Sequence, residues 1–244
     1  MMWRVGTVVA LHDETPTART ITLQVADWPS HVAGQHVDVR LTAPDGYSAV
    51  RSYSLASAPN AEGRVELTVE WLPDGEVSPY LTQELAVGER LELRGPIGGW
   101  FVWRSRQTEP IQLIAGGSGI VPLMGMIRSR AAAGGTEPFR LLYSVKEPGA
   151  VIYRDELQAI SDRVDSVTLA YVYTRATPRG WPRPPGRIDA SVIAETTWSS
   201  KLIPTCYVCG PTSFVESAAA LLVACGNRPD KIRTERFGPT GGRK

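Results

Sequence analysis

The sequence predicts two domains: an N-terminal antiparallel β-barrel, followed by a C-terminal α/β domain built on a parallel sheet. Six short β-rich runs, separated by clusters of Pro, Asp, Asn and Gly, occupy the first part of the chain. After Gly95–Gly99, short apolar runs alternate with helical segments, which is typical of parallel strands joined by crossover helices. A chain of 244 residues is long enough to bury two ordinary cores.

The first domain is expected to contain strands at residues 5–11, 20–25, 36–41, 51–55, 65–71 and 90–93. One helix is predicted at residues 77–85. A polar stretch at residues 104–109 marks the boundary, so we expect domains at residues 1–105 and 106–244.

The second domain begins with a predicted strand at residues 111–115, followed by a glycine turn and a helix at residues 120–133. The pattern then repeats with strands at 139–145, 167–173 and 205–209, and with helices at 153–160, near Ala190 and at 212–225.

Composition argues against several classes of protein. With 26 basic and 25 acidic residues, the net charge is +1, which provides no overall field for nucleic acid or an anionic membrane. No apolar run approaches the ~20 residues of a membrane-spanning helix, and the first residues contain no secretory h-region. Three cysteines do not make a disulfide framework. We therefore expect a cytoplasmic protein that binds neither membrane nor nucleic acid.

The first chemical motif is Arg51-Ser52-Tyr53-Ser54-Leu55, on a predicted strand. Residues two apart on a strand share a face, so Arg51 and Tyr53 would point the same way. A cation, a flat aromatic ring and a hydroxyl at the strand end suit a nucleotide with a planar ring system. The alternative is an ordinary strand with an exposed arginine and a half-buried tyrosine.

A second segment, Asp74-Gly75-Glu76-Val77-Ser78, lies where the helix of the first domain is predicted to begin. The N–H groups of a helix N-terminus, together with a serine hydroxyl, can bind a pyrophosphate. Alternatively, Ser78 is simply the N-cap of that helix.

The third motif, Gly116-Gly117-Ser118-Gly119-Ile120-Val121-Pro122, follows a buried strand and opens a helix, as a dinucleotide-binding loop requires. Proline is tolerated in the first turn of a helix, because the N–H groups there lack partners. A serine-hydrolase elbow is excluded: Ile120 replaces its second glycine, and all three histidines precede the serine. We expect those histidines to be ordinary surface or strand residues.

The strands after this loop end in basic and polar residues. Lys146, not an acidic residue, lies at the end of the second strand, and Thr174 and Arg175 end the next one. Arg183 and Arg187 could reinforce this cationic surface. The alternative is a solvated basic loop.

Cys206 and Cys209 are three residues apart on a predicted strand, so they should face opposite sides and not form a redox pair. No second Cys/His pair completes a zinc site, so no metal is expected. Cys209 is better read with Gly210 and Pro211, at the carboxyl end of a parallel strand, where open α/β sheets bind ligands.

Taken together, in this order and spacing, the motifs resemble those of the ferredoxin–NADP reductase superfamily, in a two-domain form without a fused iron–sulfur domain. The resemblance extends to Glu235-Arg236-Phe237, which is similar to the terminal Glu-x-aromatic sequence of the plant-type enzymes. It implies that the barrel binds FAD and that the α/β domain binds NADP(H).

By the same resemblance, individual residues acquire roles, and Thr174 with Arg175 would bind the 2′-phosphate of NADP(H). Arg51 would bind phosphate oxygens, Tyr53 would pack along the flavin and Ser54 would lie near flavin N5. Cys209 would line the nicotinamide pocket, the Glu235 carboxylate would act in the active site, and Phe237 would stack on the flavin. The implied catalytic residues are Ser54, Cys209 and Glu235. The implied cofactor-binding residues are Arg51, Ser52, Tyr53, Ser54, Gly75, Val77, Ser78, Gly117, Ser118, Gly119, Thr174, Arg175, Cys209, Gly210, Pro211 and Phe237.

The resemblance implies a flavoenzyme that passes a hydride from NADPH to FAD, and then single electrons to a separate ferredoxin, Rieske or haem protein. Two alternatives remain. One is an NADH-preferring reductase component of an oxygenase, and the other is a flavin-binding electron-transfer or regulatory subunit without turnover of its own.

Overall fold

The computed structural model describes residues 2–163 and 167–238 and contains two sheets. The first sheet is antiparallel, in the order β4-β3-β6-β1-β2-β5. A bridge between Leu55 and Leu67 connects its two edge strands, so the sheet curls into a barrel. The barrel strands are β1 (Trp3–Thr15), β2 (Ala18–Val25), β3 (His36–Thr42), β4 (Ser48–Ser54), β5 (Arg64–Glu70) and β6 (Arg90–Ile97).

The six barrel strands correspond to the six predicted β-rich runs. Along β5, for example, Val65, Leu67 and Val69 are buried at alternate positions and join one barrel core. The helix predicted at residues 77–85 is wrong in length and type. A five-residue π-helix, Tyr80–Glu84, replaces it, and the N–H of Leu85 donates to the carbonyl of Tyr80, five residues earlier.

The second sheet is parallel, in the order β11-β10-β7-β8-β9, and confirms the predicted α/β class. Every residue of β7 is buried, since apolar layers cover both faces of the sheet. Its strands are β7 (Ile111–Gly116), β8 (Phe139–Val145), β9 (Val167–Tyr173), β10 (Thr205–Pro211) and β11 (Ile232–Phe237). Its helices are α1 (Ile120–Ala132), α2 (Arg154–Arg163), α3 (Ala190–Thr196) and α4 (Thr212–Ala224).

Arg128, on α1, connects the two halves of the molecule. Its guanidinium donates to the carbonyl of Ala56 at 3.0 Å, and it forms ion pairs with Glu66 of the barrel at 2.7 Å and Glu156 of α2 at 2.6 Å. It also lies over the ring of Tyr153, whose hydroxyl bonds Thr68 of the barrel. Because Ala56 follows β4 closely, these contacts hold the end of that strand beside the helix that starts at the glycine loop.

Candidate active site between the two sheets

Arg51 contacts the predicted phosphate-binding segment directly. The side chain is half exposed, and its guanidinium pairs with the carboxylate of Glu76 and donates to the Val50 carbonyl at 2.8 Å. Tyr53, two residues along β4, packs against the barrel core, and burial raises its pKa to about 12. The structure therefore brings the two predicted flavin-binding segments together.

Ser78 closes the loop that carries Gly75 and Glu76. Its hydroxyl accepts a hydrogen bond from the N–H of Leu72 at 3.1 Å, and the side chain is buried. Ser78 is not a helix N-cap, because Pro79 holds that position at the short π-helix. A closed loop, with Val77 buried beneath it, therefore faces Arg51 where a helix N-terminus was predicted.

The glycine loop packs against the carboxyl end of β10. Gly117, Ser118 and Gly119 form one 3₁₀ turn between β7 and α1. A Cβ atom on Gly119 would lie 2.1 Å from the carbonyl oxygen of Cys209, so only glycine allows this approach. The predicted dinucleotide loop and the Cys209-Gly210-Pro211 motif therefore lie side by side.

Cys209 and Glu235 are register partners on the parallel strands β10 and β11. Cys209 is buried, and burial together with the nearby Glu235 carboxyl raises the pKa of its thiol well above the usual value. The thiol therefore stays protonated at neutral pH. This suits a side chain that packs against a bound nucleotide and does not suit a reactive thiolate. Phe237 pairs with Pro211 at the end of β11 and is 38% exposed, so it is not a core residue.

His36, which was expected to be an ordinary surface or strand residue, is near both Ser54 and Glu235. Ser54 and His36 are directly opposed on β4 and β3. His36 Nδ1 lies 4.0 Å from Glu235 Oε1. Ser54 and His36 of the barrel and Cys209 and Glu235 of the parallel sheet therefore lie on facing strands, with His36 and Glu235 4.0 Å apart.

The pKa values of Glu235 and His36 differ from the usual values of these residue types. Burial raises the pKa of Glu235 to about 7, and Glu235 Oε2 is buried without a hydrogen-bond partner among residues 2–163 and 167–238. Burial lowers the pKa of His36, against an opposing effect of the Asp38 carboxylate. A carboxyl group that titrates near neutral pH can hold or release a proton there.

The residues proposed for the 2′-phosphate lie at the ends of β8 and β9. The backbone N–H of Thr174 donates to Val145, and that of Arg175 donates to the carbonyl of Lys146, so these residues are adjacent. Arg175 and Lys146 are exposed. The suggested reinforcement by Arg183 is not supported, because its guanidinium pairs with Glu195 of α3 and donates to Ser191.

Cys206 and Cys209 behave as strand geometry predicted. Cys206 belongs to the core on one face of the parallel sheet, whereas Cys209 belongs to the core on the other face.

In the described part of the chain, no group of three His, Cys, Asp or Glu residues could hold a metal ion. No helix of residues 2–163 and 167–238 is long and apolar enough to cross a membrane.

Two family models match the chain, the oxidoreductase FAD-binding domain at residues 15–102 and the oxidoreductase NAD-binding domain at residues 113–220. A Ralstonia protein, the ferredoxin–NAD(P)+ reductase component of naphthalene 1,2-dioxygenase/salicylate 5-hydroxylase systems, is 27% identical across 97% of this chain. The glycine betaine monooxygenase reductase subunit of Chromohalobacter salexigens is 30% identical across 85% of it. The chain spans 69% of the first relative and 56% of the second.

Among solved structures, the FAD/NAD-binding domain of nitric oxide dioxygenase from Vibrio cholerae O1 biovar El Tor superposes with a TM-score of 0.86. The match covers 97% of this chain and 99% of that one at 23% identity, so it supports the fold alone. The two matched domains, and the order in which they occur, agree with the flavin-binding and dinucleotide-binding motifs of the sequence. The chain therefore belongs to the ferredoxin–NADP reductase superfamily and is an FAD-dependent NAD(P)H oxidoreductase.

Proposed function

We propose that the chain takes a hydride from NADPH onto FAD and passes single electrons to a separate acceptor protein. The observation that carries this proposal is that Ser54 of the barrel and Cys209 and Glu235 of the parallel sheet lie on facing strands, with Glu235 4.0 Å from His36, the register partner of Ser54. Bound FAD would supply the step from a two-electron donor to one-electron acceptors. The protein's own residues would hold the two cofactors together and keep a titratable carboxyl group beside them.

The residues on the barrel fit a flavin nucleotide. On the facing strand β11 of the parallel sheet, Glu235 Oε2 is buried and unpartnered among the described residues, which leaves hydrogen-bonding capacity beside the barrel. Arg51 offers a half-exposed guanidinium that pairs with Glu76 of the Gly75–Ser78 loop, and Tyr53, two residues further along β4, offers an aromatic ring. We assign residues 1–105 to FAD and residues 106–244 to the nicotinamide nucleotide. Arg51 and the loop would hold the pyrophosphate, with Ser52 and Ser78 supporting them from within the strand and the loop.

Arg51→Ala is expected to weaken FAD retention by roughly 1.5–3 kcal/mol, the worth of a hydrogen bond to a charged group. That corresponds to about a 10-fold to 150-fold higher Kd. Flavin released during dialysis, followed by its fluorescence, measures the change. Arg40→Ala is the matched control, because Arg40 is also ion-paired on the barrel, with Glu92. Equal flavin loss in both variants, or none in Arg51→Ala, would remove Arg51 from the site.

The nucleotide preference follows from the surface formed by Lys146, Thr174 and Arg175. Among the described residues, no acidic side chain forms an ion pair with Lys146 or Arg175. Two unpaired cations and a hydroxyl favour the dianionic 2′-phosphate of NADPH over the bare ribose of NADH.

Arg175→Ala is expected to raise KM for NADPH by about 10-fold or more, because a charge-assisted hydrogen bond is lost. KM for NADH should stay near the wild-type value. Steady-state oxidation of each nucleotide with ferricyanide as acceptor gives both constants. Arg183→Ala serves as the control, since Arg183 is held by Glu195, and its two KM values should not move. Equal losses with NADPH and NADH in Arg175→Ala would assign Arg175 a structural role.

The acceptor is proposed to be a ferredoxin, a Rieske protein or a haem protein. Two relatives are named as reductase components of oxygenase systems, which supports an acceptor of this kind. Because these two relatives serve oxygenases, an NADH-preferring reductase component of an oxygenase is a second candidate function. Turnover of NADPH with ferricyanide separates an enzyme from a subunit that only binds flavin.

A further inference from the structure

A cavity of about 540 Å³ lies where the barrel, the linker between the domains and helix α1 meet. It is lined by residues 31–33 of the loop between β2 and β3, by Pro59, by residues 103–106 of the linker, and by Ser129, Ala132 and Ala133 of α1 and its C-terminal end. Small-molecule sites typically have volumes of about 300–1,000 Å³. Because α1 begins at the glycine loop and has 13 residues, the cavity lies about 20 Å from that loop, at the opposite end of the helix.

Two polar groups of the residues that line the cavity have no hydrogen-bond partner. Trp103 Nε1 and Ser129 Oγ are buried and form no hydrogen bond with residues 2–163 and 167–238. The Trp103 side chain is 2% exposed, and its ring is held edge-on against Phe139, with the ring centroids 5.5 Å apart. Leaving a buried donor unpaired is unfavourable. An indole N–H can only donate, so it calls for an oxygen acceptor.

His31 lines the same cavity, but the fold satisfies its ring completely. Nδ1 accepts from the Trp28 indole at 3.2 Å, so Nε2 carries the proton and donates to the Ser57 carbonyl at 2.9 Å. Burial lowers the pKa of His31, which keeps the ring neutral at pH 7. The same loop holds Asp27 and Ser30 at φ +51° and +64°, a backbone conformation that is uncommon outside glycine. His31 therefore fixes this wall and adds no charge to it.

The charge on the cavity comes from the linker. Arg104 and Arg106 line the cavity and are exposed, so they lie on its solvent side. No acidic side chain in the described part of the chain forms an ion pair with either of them. The residues that line the cavity include no Asp or Glu, and most of the others are apolar. The cavity thus combines a cationic mouth, an apolar wall and two unpaired polar groups.

We propose that this cavity binds an apolar carboxylic acid that carries a second oxygen, as a hydroxyl or carbonyl, on its apolar body. The carboxylate accepts charge-assisted hydrogen bonds from Arg104 and Arg106. The apolar body packs against Ala33 and the Trp103 ring, and the second oxygen accepts from Trp103 Nε1 and Ser129 Oγ. Inorganic phosphate would leave the apolar wall uncovered, and a neutral compound would leave the two guanidinium groups unmatched. This site goes beyond the proposed function, because it contains neither flavin-binding nor nucleotide-binding residues.

The probe for this site is 6-hydroxy-2-naphthoate, in which a flat apolar body separates a carboxylate from a hydroxyl. Equilibrium dialysis against the FAD-loaded protein should show saturable binding to one site, with a Kd below about 1 mM. We expect 2-naphthol, which lacks the carboxylate, to bind about 10-fold or more weakly, and 2-naphthoate, which lacks the hydroxyl, about 3-fold to 10-fold more weakly. Absence of saturable binding, equal affinity for 2-naphthol, or displacement of the probe by inorganic phosphate would overturn the proposal.

Variants locate the bound probe. Replacing both linker arginines, Arg104→Ala with Arg106→Ala, should raise Kd about 10-fold or more. Ala132→Trp, at an exposed position on the rim, should fill the mouth and abolish binding. The control is Arg90→Ala, since Arg90 is another exposed arginine, on the barrel, and no item of the cavity wall includes it.

Thermal unfolding provides the second measurement and shows that each variant is folded. The probe should raise Tm in wild type and Arg90→Ala, because it binds only the folded state, and should leave Tm of Ala132→Trp unchanged. Wild-type affinity in the double arginine variant or in Ala132→Trp would overturn the proposal. Displacement of the probe by NADP+ would also overturn it, since the probe would then occupy the nucleotide site.

Discussion

Replacing Gly119 with alanine is expected to abolish reduction of FAD by NADPH while the flavin stays bound. The added Cβ would lie 2.1 Å from the carbonyl oxygen and 2.5 Å from the carbonyl carbon of Cys209. Both atoms belong to the backbone of a central strand, so no side chain can move aside. The glycine loop must shift instead, which displaces the nucleotide from the flavin. We expect a rate loss of at least about 100-fold and a loss of about 3 kcal/mol in the free energy of unfolding.

Gly117→Ala is the matched control, two residues earlier in the same loop. Gly117 has φ +54°, but its added Cβ would meet no heavy atom within 4 Å. The left-handed backbone alone costs an alanine about 1–2 kcal/mol. Stopped-flow reduction and urea unfolding of the two variants separate close packing from backbone strain. Equal behaviour of Gly119→Ala and Gly117→Ala would contradict the packing of this loop against β10.

Arg128→Met is expected to be the second most damaging change. The Arg128 side chain is 19% exposed and holds Glu66, Glu156 and the carbonyl of Ala56. Methionine preserves much of the apolar stem but leaves both carboxylates partly buried and unpaired, which costs about 3–5 kcal/mol. Because α1 follows the glycine loop, hydride transfer should also slow, whereas FAD, bound mainly by the barrel, should remain.

Arg228→Met gives the comparison for this variant. Arg228 forms an exposed ion pair with Asp230, and exposed pairs contribute at most about 1 kcal/mol. Urea unfolding monitored by tryptophan fluorescence gives both free energies. A loss in Arg128→Met no larger than in Arg228→Met would mean that Arg128 does not join the two halves.

Most strands were predictable because burial imposes a pattern on them. The alternation along β5 and the apolar run of β7 can be recognised from the sequence. By contrast, β11 was not predicted, because its sequence, Ile232-Arg233-Thr234-Glu235-Arg236-Phe237, contains three charges and lies at a sheet edge. The π-helix was also missed, since local propensity does not distinguish its i+5 hydrogen bond from an ordinary helical turn.

The candidate site could also be predicted only in part from the sequence. Ser54, Cys209 and Glu235 were assigned from motifs that carry a family resemblance. His36 has no local signature, since its importance depends on β3 and β11, which the sequence separates widely and the fold brings within 4.0 Å. The Arg183–Glu195 ion pair could not be predicted either. Sequence spacing does not show that a loop residue will contact a helix residue twelve positions away.

Hydride transfer is expected to take place between the strand ends that carry Ser54 and Cys209. Anaerobic stopped-flow reduction of the FAD-loaded protein by NADPH tests it most directly, with wild type, Ser54→Ala, Cys209→Ala and the double variant. We predict that each single variant keeps FAD and loses about 10-fold or more in rate. The double variant should lose less than the product of the two effects, because residues acting as one unit are not additive. Wild-type rates in both single variants would contradict the claim and place the chemistry elsewhere.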